Sequence, residues 1–286
     1  MPSNSPYAFS LDRKGAFALF PFILEGKPLE ESRAVCGISL YSAGSMRFRW
    51  HENNKNRKLF FEKANINFEN VVPLELIHSK IIYIVEKKED VYQKQGDGIL
   101  TANPELVPSV TVADCMPIYL YDTENNVTGM LHSGWKGTGI CAEAVSLMIK
   151  HYNSKPEKIC AVVGPHIDRC CYNVDKERAD YFKLNFSSES VCESQKDGEK
   201  VYSLSLLNAN LFLLEKSGIL PENTAYCVDC TCCSPFLGSH RRESAGMPDN
   251  MPPEERSKCF TPMAAFVIQN YFFASSAVAV TIPARF

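Results

Sequence analysis

The sequence predicts an α/β fold in which mixed β-sheets are covered by helices. Two observations support this class. Short apolar, strand-like runs alternate with helical patterns along the middle of the chain, and only one βαβ crossover is evident. A purely parallel sheet would need a crossover for each strand, whereas here neighbouring strands are joined by short turns such as 123–126. With 286 residues, 45% of them hydrophobic, and no linker or repeat, we expect a single domain over 1–286.

The individual elements follow from local patterns. The apolar segment 15–24 contains Pro21 and predicts a first strand or hairpin arm. Further strands are predicted at 81–86, 109–114, 117–122, 127–132 and 158–165. Helices are predicted at 138–153, where apolar residues recur at helical spacing, at 175–186 with Asp175 as the cap, and at 204–218, which ends at Gly218. The run 263–280 predicts a buried helix followed by a strand.

The charge and the cysteine content limit the kinds of partner and the cellular compartment that can be expected. The formal net charge of -3 and the absence of a basic stripe exclude an electrostatic case for nucleic-acid binding, and the most basic stretch, 47–58, predicts a solvated helix face. The twelve cysteines lie in apolar runs or bunch together, unlike a secreted disulfide framework, and no signal peptide is evident. Gln269 and Asn270 interrupt the one run of membrane-spanning length. We therefore expect a reduced, cytoplasmic protein without a membrane anchor.

Three residues of the metal-ligating types stand at predicted strand ends. His78 follows the run PLELI, Cys115 ends TVADC, and His132 ends GMLH immediately before a glycine turn that opens a helix. They are separated by 37 and 17 positions, so they can meet only if neighbouring strands bring them to one edge. Two histidines and one cysteine would leave a fourth position for water or substrate, as in catalytic zinc sites, and the thiolate would also suit copper. Singly, each has an ordinary structural interpretation as a satisfied or buried side chain.

Four segments resemble a known family. They are TVADCMPIYLYD (111–122), GMLHSGWKGTG (129–139), VVGPHIDRCCYNVDKE (162–177) and CTCCSPFLGSHRRESAG (230–246). Over about 70–245 the chain resembles the YfiH-like family. That family is also called the multicopper polyphenol oxidase or laccase-domain family, and more recently the purine nucleoside phosphorylase LACC1-like family. The resemblance implies an α/β/β/α sandwich with mixed sheets and a zinc ion held by His78, Cys115 and His132.

The resemblance also implies substrates and reactions. They are phosphorolysis of adenosine, inosine, guanosine and methylthioadenosine, and deamination of adenosine. Deamination could use a zinc-bound water of lowered pKa, whereas phosphorolysis needs an anion pocket beside the sugar and a donor for the departing base. The candidate phosphate ligands are Lys136, Arg57, the amides after Gly134, and Arg241 or Arg242. Asp114 would join Cys115 and His132 as a catalytic residue, either orienting a ligand or carrying a proton, unless it is only a turn residue at a strand end.

The chain departs from the family pattern at several positions. The residues around the first histidine are Leu76, Ile77 and Ser79 in place of Gln, Val and Gly, and the turn's arginine is Lys136, which keeps the charge but loses bidentate geometry. The tyrosine of the last motif is His240. These departures bear on substrate choice more than on metal binding.

Other functions remain open at this point. Cys115 with a histidine could form the nucleophile–base pair of a cysteine hydrolase, or the departures could mark an inactive member that acts as a binding protein. Cys227, Cys230 and Cys233, with Cys170 or Cys171, could instead hold a structural zinc ion, although buried reduced thiols are the simpler interpretation. The His-x-Glu signature of zinc deaminases is absent, and six histidines are too few for several copper ions.

Overall fold

The secondary structure is that of a computed structural model describing residues 5–30, 33–248, 250–256 and 258–270. The strands are β1 (Tyr7–Phe9), β2 (Phe17–Pro21), β3 (Ile23–Leu24), β4 (Lys27–Pro28), β5 (Ala34–Ser39), β6 (Val71–Pro73), β7 (Ile82–Ile84), β8 (Gly98–Thr101), β9 (Val107–Val112), β10 (Met116–Asp122), β11 (Val127–Ser133), β12 (Ile159–Val163), β13 (Asn173–Val174), β14 (Val191–Lys196), β15 (Glu199–Leu204), β16 (Thr224–Cys227) and β17 (Met263–Gln269). The helices are α1 (Lys55–Lys63), α2 (Ile140–Tyr152), α3 (Lys176–Asn185), α4 (Leu206–Lys216), α5 (His240–Glu243) and α6 (Pro253–Arg256). Single 3₁₀ turns occupy Tyr41–Ala43, Phe68–Asn70, Lys88–Val91, Pro156–Lys158, Ser188–Ser190 and Pro221–Asn223.

Two mixed sheets dominate the fold. The larger has the order β1-β16-β12-β10-β11-β8-β7, and its pairs β1/β16, β12/β16 and β7/β8 are parallel while the others are antiparallel. The second has the order β2-β5-β17-β9-β6, and only its β6/β9 pair is parallel. Smaller sheets join β13-β15-β14 and β3-β4. The mixed character predicted from the sequence is therefore confirmed.

The layers follow from how each strand divides its side chains between two faces. In β10, Met116, Ile118 and Leu120 belong to a buried cluster shared with α2, α3 and α4. The intervening Tyr119 and Tyr121 point the other way, into a cluster shared with β5, β9 and β17 of the second sheet. The outer face of that second sheet packs on α1. The order helix, sheet, sheet, helix is the predicted α/β/β/α sandwich.

The predicted helix caps are present. The Asp175 carboxylate accepts a hydrogen bond from the Arg178 amide at 2.7 Å at the start of α3. Gly218 follows α4 with φ at +90°, the left-handed conformation that ends helices and that only glycine adopts at little cost.

Two predictions about local structure were wrong. The run that begins at 263 forms strand β17 rather than a helix, because Ala264, Phe266 and Ile268 face α1 while Met263 and Val267 face the other sheet, so both faces are buried. The rest of that run, 271–280, lies outside the described residues.

The basic stretch 47–58 is likewise not a solvated helix face. Residues 47–54 form a loop, and α1 begins only at Lys55, with the Asn54 side chain accepting from the Arg57 amide. Within α1, Arg57 is buried. As for membranes, the described helices include none with the length and apolar character required to span one.

Candidate metal centre and pocket

Two of the three predicted ligands are brought together by the β10–β11 hairpin. Cys115 immediately precedes β10, and His132 lies one residue before the end of β11, where it is paired with Pro117. The antiparallel register therefore places the start of β10 beside the end of β11, as expected for strands joined by a short turn. His132 is buried and the Cys115 side chain is half-buried.

The third predicted ligand, His78, lies on the loop between β6 and β7. Its backbone has φ at +60°, a conformation uncommon for residues other than glycine. The amide of His78 donates to the Asp97 carboxylate at 3.0 Å, and the His78 and His132 rings lie edge to face with centroids 4.9 Å apart. The loop is thus held in the turn that directs His78 toward His132.

Asp97 organises both histidines, and sequence analysis missed it. It directly precedes β8, and its carbonyl accepts from the His132 amide at 2.8 Å. Its carboxylate lies 2.8 Å from His132 Nδ1 and also accepts from the amide and hydroxyl of Ser79, both at 2.6 Å. Burial opposes ionisation of Asp97, but the contacts with His132 and Ser79 outweigh it and lower its pKa. As an ionised acceptor, Asp97 requires the proton on His132 Nδ1 and leaves Nε2 free to bind a metal.

The donor set and its surroundings fit a metal ion. One ligand atom each from His78, Cys115 and His132 lie within 4.8 Å of one another. Gly134 makes the approach possible, since a Cβ there would lie 2.9 Å from the Cys115 sulfur and 3.3 Å from His78 Cδ2. Nitrogen and thiolate ligands suit zinc, and three protein ligands leave a further position for another group.

The electrostatics of the site favour a thiolate. Burial raises the pKa of Cys115, but the charges and hydrogen bonds of His132 and His78 outweigh it and bring the pKa down to about 6. In the same way, burial lowers the pKa of His132, whereas Cys115 and Asp97 raise it to about 10. A metal cation that displaces the proton from His132 Nε2 would therefore bind beside a Cys115 side chain that is already deprotonated.

His78, Cys115 and His132 line a pocket of about 480 Å³. This volume lies within the range of about 300–1,000 Å³ typical of small-molecule sites. Its walls carry aromatic or imidazole rings and cationic side chains, namely Phe48, Trp135, Tyr172, His240, Phe260, Arg47, Arg49, Arg241 and Arg256. Burial lowers the pKa of His240, so its imidazole is neutral at physiological pH. The pocket thus combines flat apolar surfaces with positive charge.

Asp114 lies in this pocket but is engaged in structural hydrogen bonds. It adopts φ at +79°, and its carboxylate accepts from the Thr231 hydroxyl and from the Arg241 amide, both at 2.6 Å. It therefore holds the segment that carries Arg241 at the pocket. This placement favours the orienting role over the proton-carrying role.

Arg57 is not at the pocket. Its side chain is 2% exposed and donates to the Met46 carbonyl and the Ser109 hydroxyl, both at 3.1 Å. Its guanidinium also lies over the rings of Phe48 and Phe61. The expectation that it binds phosphate is corrected, because the side chain is committed to the core.

Two other predicted phosphate ligands also do not line the pocket. Lys136 is exposed, with its ammonium 5.4 Å from the centroid of the Trp135 ring. Arg242 donates to the carbonyls of Thr231 and Ser234, each at 2.6 Å, and so shapes a loop. Of the residues predicted for phosphate, Gly134 and Arg241 do line the pocket.

Arg47, Arg49 and Arg256 were not predicted as site residues, although all three line the pocket. Arg47 donates through one terminal nitrogen to Glu52 at 2.9 Å, while its Nε and Nη1 are buried and have no hydrogen-bond partner among the described residues. The composition of 47–58 indicated the charge of Arg47 and Arg49, but only the tertiary fold places these two side chains, and Arg256 from a distant segment, at the pocket.

Comparison with known proteins gives concordant results. A family model described as "Multi-copper polyphenol oxidoreductase laccase" matches residues 49–247. The purine nucleoside phosphorylase LACC1 of Mus musculus is 30% identical over 207 residues, which cover 70% of this chain and 46% of that protein. The purine nucleoside phosphorylase YlmD of Bacillus subtilis is 30% identical over 200 residues, covering 66% of this chain and 72% of that protein. The match therefore spans less than half of the mouse relative's length.

The fold is also found in a solved structure. The crystal structure of the Bacillus licheniformis hypothetical protein YfiH superimposes with a TM-score of 0.73 at 25% identity, covering 91% of this chain and 98% of that one. The sandwich described above therefore belongs to an established architecture.

Proposed function

The chain belongs to the multi-copper polyphenol oxidoreductase laccase family, and from that premise we propose that it is a zinc-dependent purine nucleoside phosphorylase. Its substrates would be adenosine, inosine, guanosine and methylthioadenosine, with adenosine deamination as a side activity. The observation that carries the proposal is the placement of His78, Cys115 and His132 in a pocket walled by rings and arginines. Two relatives named purine nucleoside phosphorylase support the reaction class.

The pocket has surfaces suited to both proposed substrates, the purine nucleoside and phosphate. The rings of Phe48, Trp135 and Phe260 offer flat surfaces against which a purine can pack. Arg47 has two buried N–H groups that no residue in the described part of the chain accepts from, and Arg241 is held at the same pocket by Asp114. Such donors are what a phosphate dianion requires, because each buried anionic oxygen needs hydrogen bonds.

In phosphorolysis, a phosphate oxygen attacks the sugar C1′ while the bond from C1′ to the base nitrogen breaks, and the base leaves with that electron pair. The arginines would orient the phosphate and offset its charge. Neutral His240 can donate a hydrogen bond to the departing base. A zinc ion bound by His78, Cys115 and His132 would supply a Lewis acid at the same pocket.

The test combines product analysis with metal analysis. Purified protein is incubated in turn with adenosine, inosine, guanosine and methylthioadenosine, with and without phosphate. The free bases, and any inosine formed from adenosine, are separated by chromatography. Zinc is measured in the wild type, in Cys115→Ala, and in Cys192→Ser, which removes an exposed thiol on β14 away from the site. We expect phosphate-dependent adenine, with loss of activity and of about one zinc ion per chain only in Cys115→Ala.

Other results would contradict parts of the proposal. Inosine formed without phosphate faster than adenine forms with phosphate would make deamination the main activity. Zinc binding without turnover of any of the four nucleosides would refute the substrate class. Equal zinc in the wild type and Cys115→Ala would refute the ligand set.

A cysteine hydrolase is the second candidate, and one observation favours it. The lowered pKa of Cys115 beside a protonated His132 is also the arrangement of a nucleophile–imidazolium pair. The two functions are separated by chelation. Removal of the metal abolishes the proposed phosphorylase, whereas it would expose the thiolate and raise a hydrolase activity toward ester substrates.

A further inference from the structure

Four cysteines outside the pocket converge at one edge of the larger sheet. Cys170 and Cys171 lie in the turn that follows β12, and Cys230 and Cys233 lie in the turn that follows β16. Because β12 and β16 are adjacent and parallel, the segments that follow them leave the sheet at the same edge. A bridge between His166 and Cys230 extends this pairing beyond the strands.

The four sulfur atoms are as close as the ligands of a single ion. All lie within 4.8 Å of one another, and the distances from Cys233 to Cys170 and Cys171 are 3.6 and 3.3 Å. A tetrahedral zinc ion with bonds of about 2.3 Å sets its sulfurs about 3.8 Å apart. The amide of Asp168 also donates to the Cys230 sulfur at 3.4 Å, a contact typical of thiolates that bind metals.

We propose that Cys170, Cys171, Cys230 and Cys233 bind a second zinc ion in a structural four-thiolate site. Cys230 is buried and anchors the cluster, while Cys170 and Cys233 are exposed and give an ion access. Four protein ligands leave no position for substrate, which distinguishes this site from the three-ligand centre in the pocket.

The grouping differs from the one considered from sequence. Cys227 does not belong to it, because its thiol donates to the Asp229 carboxylate and its side chain packs between the two sheets. Cys227 was considered because it is close in sequence to Cys230 and Cys233. The parallel pairing of β12 and β16 instead brings both Cys170 and Cys171 to those two residues.

The second zinc ion would fix two walls of the pocket. Tyr172, which lines the pocket, directly follows Cys171. Thr231, which directly follows Cys230, donates to Asp114 next to Cys115. A zinc ion that joins the two turns would therefore hold both contacts in place without touching substrate.

The experiment counts zinc per chain in variants of the full-length protein, purified with a reducing agent and dialysed against metal-free buffer. We expect about two zinc ions in the wild type and in the control Cys192→Ser, and about one in Cys115→Ala and in the double variant Cys171→Ser, Cys233→Ser. The combination of all three substitutions should bind none. Equal zinc in the wild type and the double variant would refute the proposal.

A second measurement leaves the four cysteines intact, so it does not depend on the folding of the double variant. Cobalt replaces zinc in Cys115→Ala, whose pocket centre lacks its thiolate. We expect intense thiolate-to-cobalt absorption saturating at about one ion per chain. No such absorption, or a Cys171–Cys233 disulfide found by mass spectrometry in the reduced preparation, would overturn the zinc site. The proposed phosphorylase would be unaffected by that outcome, because it depends on Cys115.

Discussion

Substitution of Asp97 by Asn tests how the pocket centre is organised. In the native protein, one carboxylate oxygen faces the His78 amide and His132 Nδ1, and the other accepts from the amide and hydroxyl of Ser79. A carboxamide has the same shape but offers only one acceptor oxygen. One of the two sides must therefore face an NH₂ group.

Either orientation of the new carboxamide weakens the centre. If the NH₂ faces His132, Nδ1 must accept, so the proton moves to Nε2 and the metal loses that ligand. If the NH₂ faces Ser79, it opposes the Ser79 amide and releases the loop that carries His78. Loss of such an orienting partner typically lowers metal affinity about 10- to 100-fold, or about 1.4–2.7 kcal/mol.

The assay is a zinc titration in competition with a chromophoric chelator, together with chemical unfolding. Asp122→Asn is the matched control, since Asp122 is also fully buried and accepts several hydrogen bonds, from Glu124 and Asn125, but lies at the far end of β10. We expect both variants to lose stability and only Asp97→Asn to lose zinc affinity. A folded Asp97→Asn protein with wild-type affinity would refute the reasoning.

Four further predictions follow from the described contacts. Gly134→Ala should lower zinc affinity at least about tenfold in the same titration, because the new Cβ would lie 2.9 Å from the Cys115 sulfur; unchanged affinity would contradict the packing. Arg57→Ala should lower the free energy of unfolding in urea by about 3 kcal/mol through two lost buried hydrogen bonds and lost packing, a result that a surface arginine would not give. Arg47→Ala should raise KM for phosphate about tenfold or more with a smaller change in kcat, and an unchanged KM would exclude Arg47 from the anion site. The pKa of Asp97 is lowered in the folded state, so its ionised form stabilises the protein at pH values above 3.8, the ordinary pKa of the side chain, and this stabilisation is lost as the pH falls through the folded-state pKa. In acid unfolding monitored by circular dichroism, the stability of Asp97→Asn should therefore depend less steeply on pH than that of the wild type.

The parts of the site that could be predicted were those marked by local sequence. His132 stands between an apolar run and a glycine turn, and Cys115 precedes a proline-containing strand, so a hairpin with a short turn was enough to join them. Strand runs and helix patterns likewise predicted mixed sheets covered by helices, while the α/β/β/α sandwich was implied by the family resemblance. Each of these motifs spans only a few residues, so it can be recognised in the sequence without knowledge of the tertiary fold.

The rest depended on contacts between distant positions. Asp97 is 35 residues from His132, and nothing around it in the sequence distinguishes it from a turn aspartate. Arg57 and Arg47 lie in one basic stretch, yet one enters the core and the other the pocket, because α1 packs on the second sheet. The strand β17 was mistaken for a helix because a run buried on both faces has no periodicity to read.

His78 and Asp114 both hold a left-handed backbone conformation that costs a residue with a side chain of order 1 kcal/mol or more. Glycine would relieve the strain at either position, but it would remove a proposed ligand at one and the carboxylate that holds Arg241 at the other. Considered alone, backbone conformation would favour glycine at both positions. An attempt to raise thermal stability by placing glycine at left-handed positions would therefore damage the pocket, and His78 and Asp114 should be left unchanged.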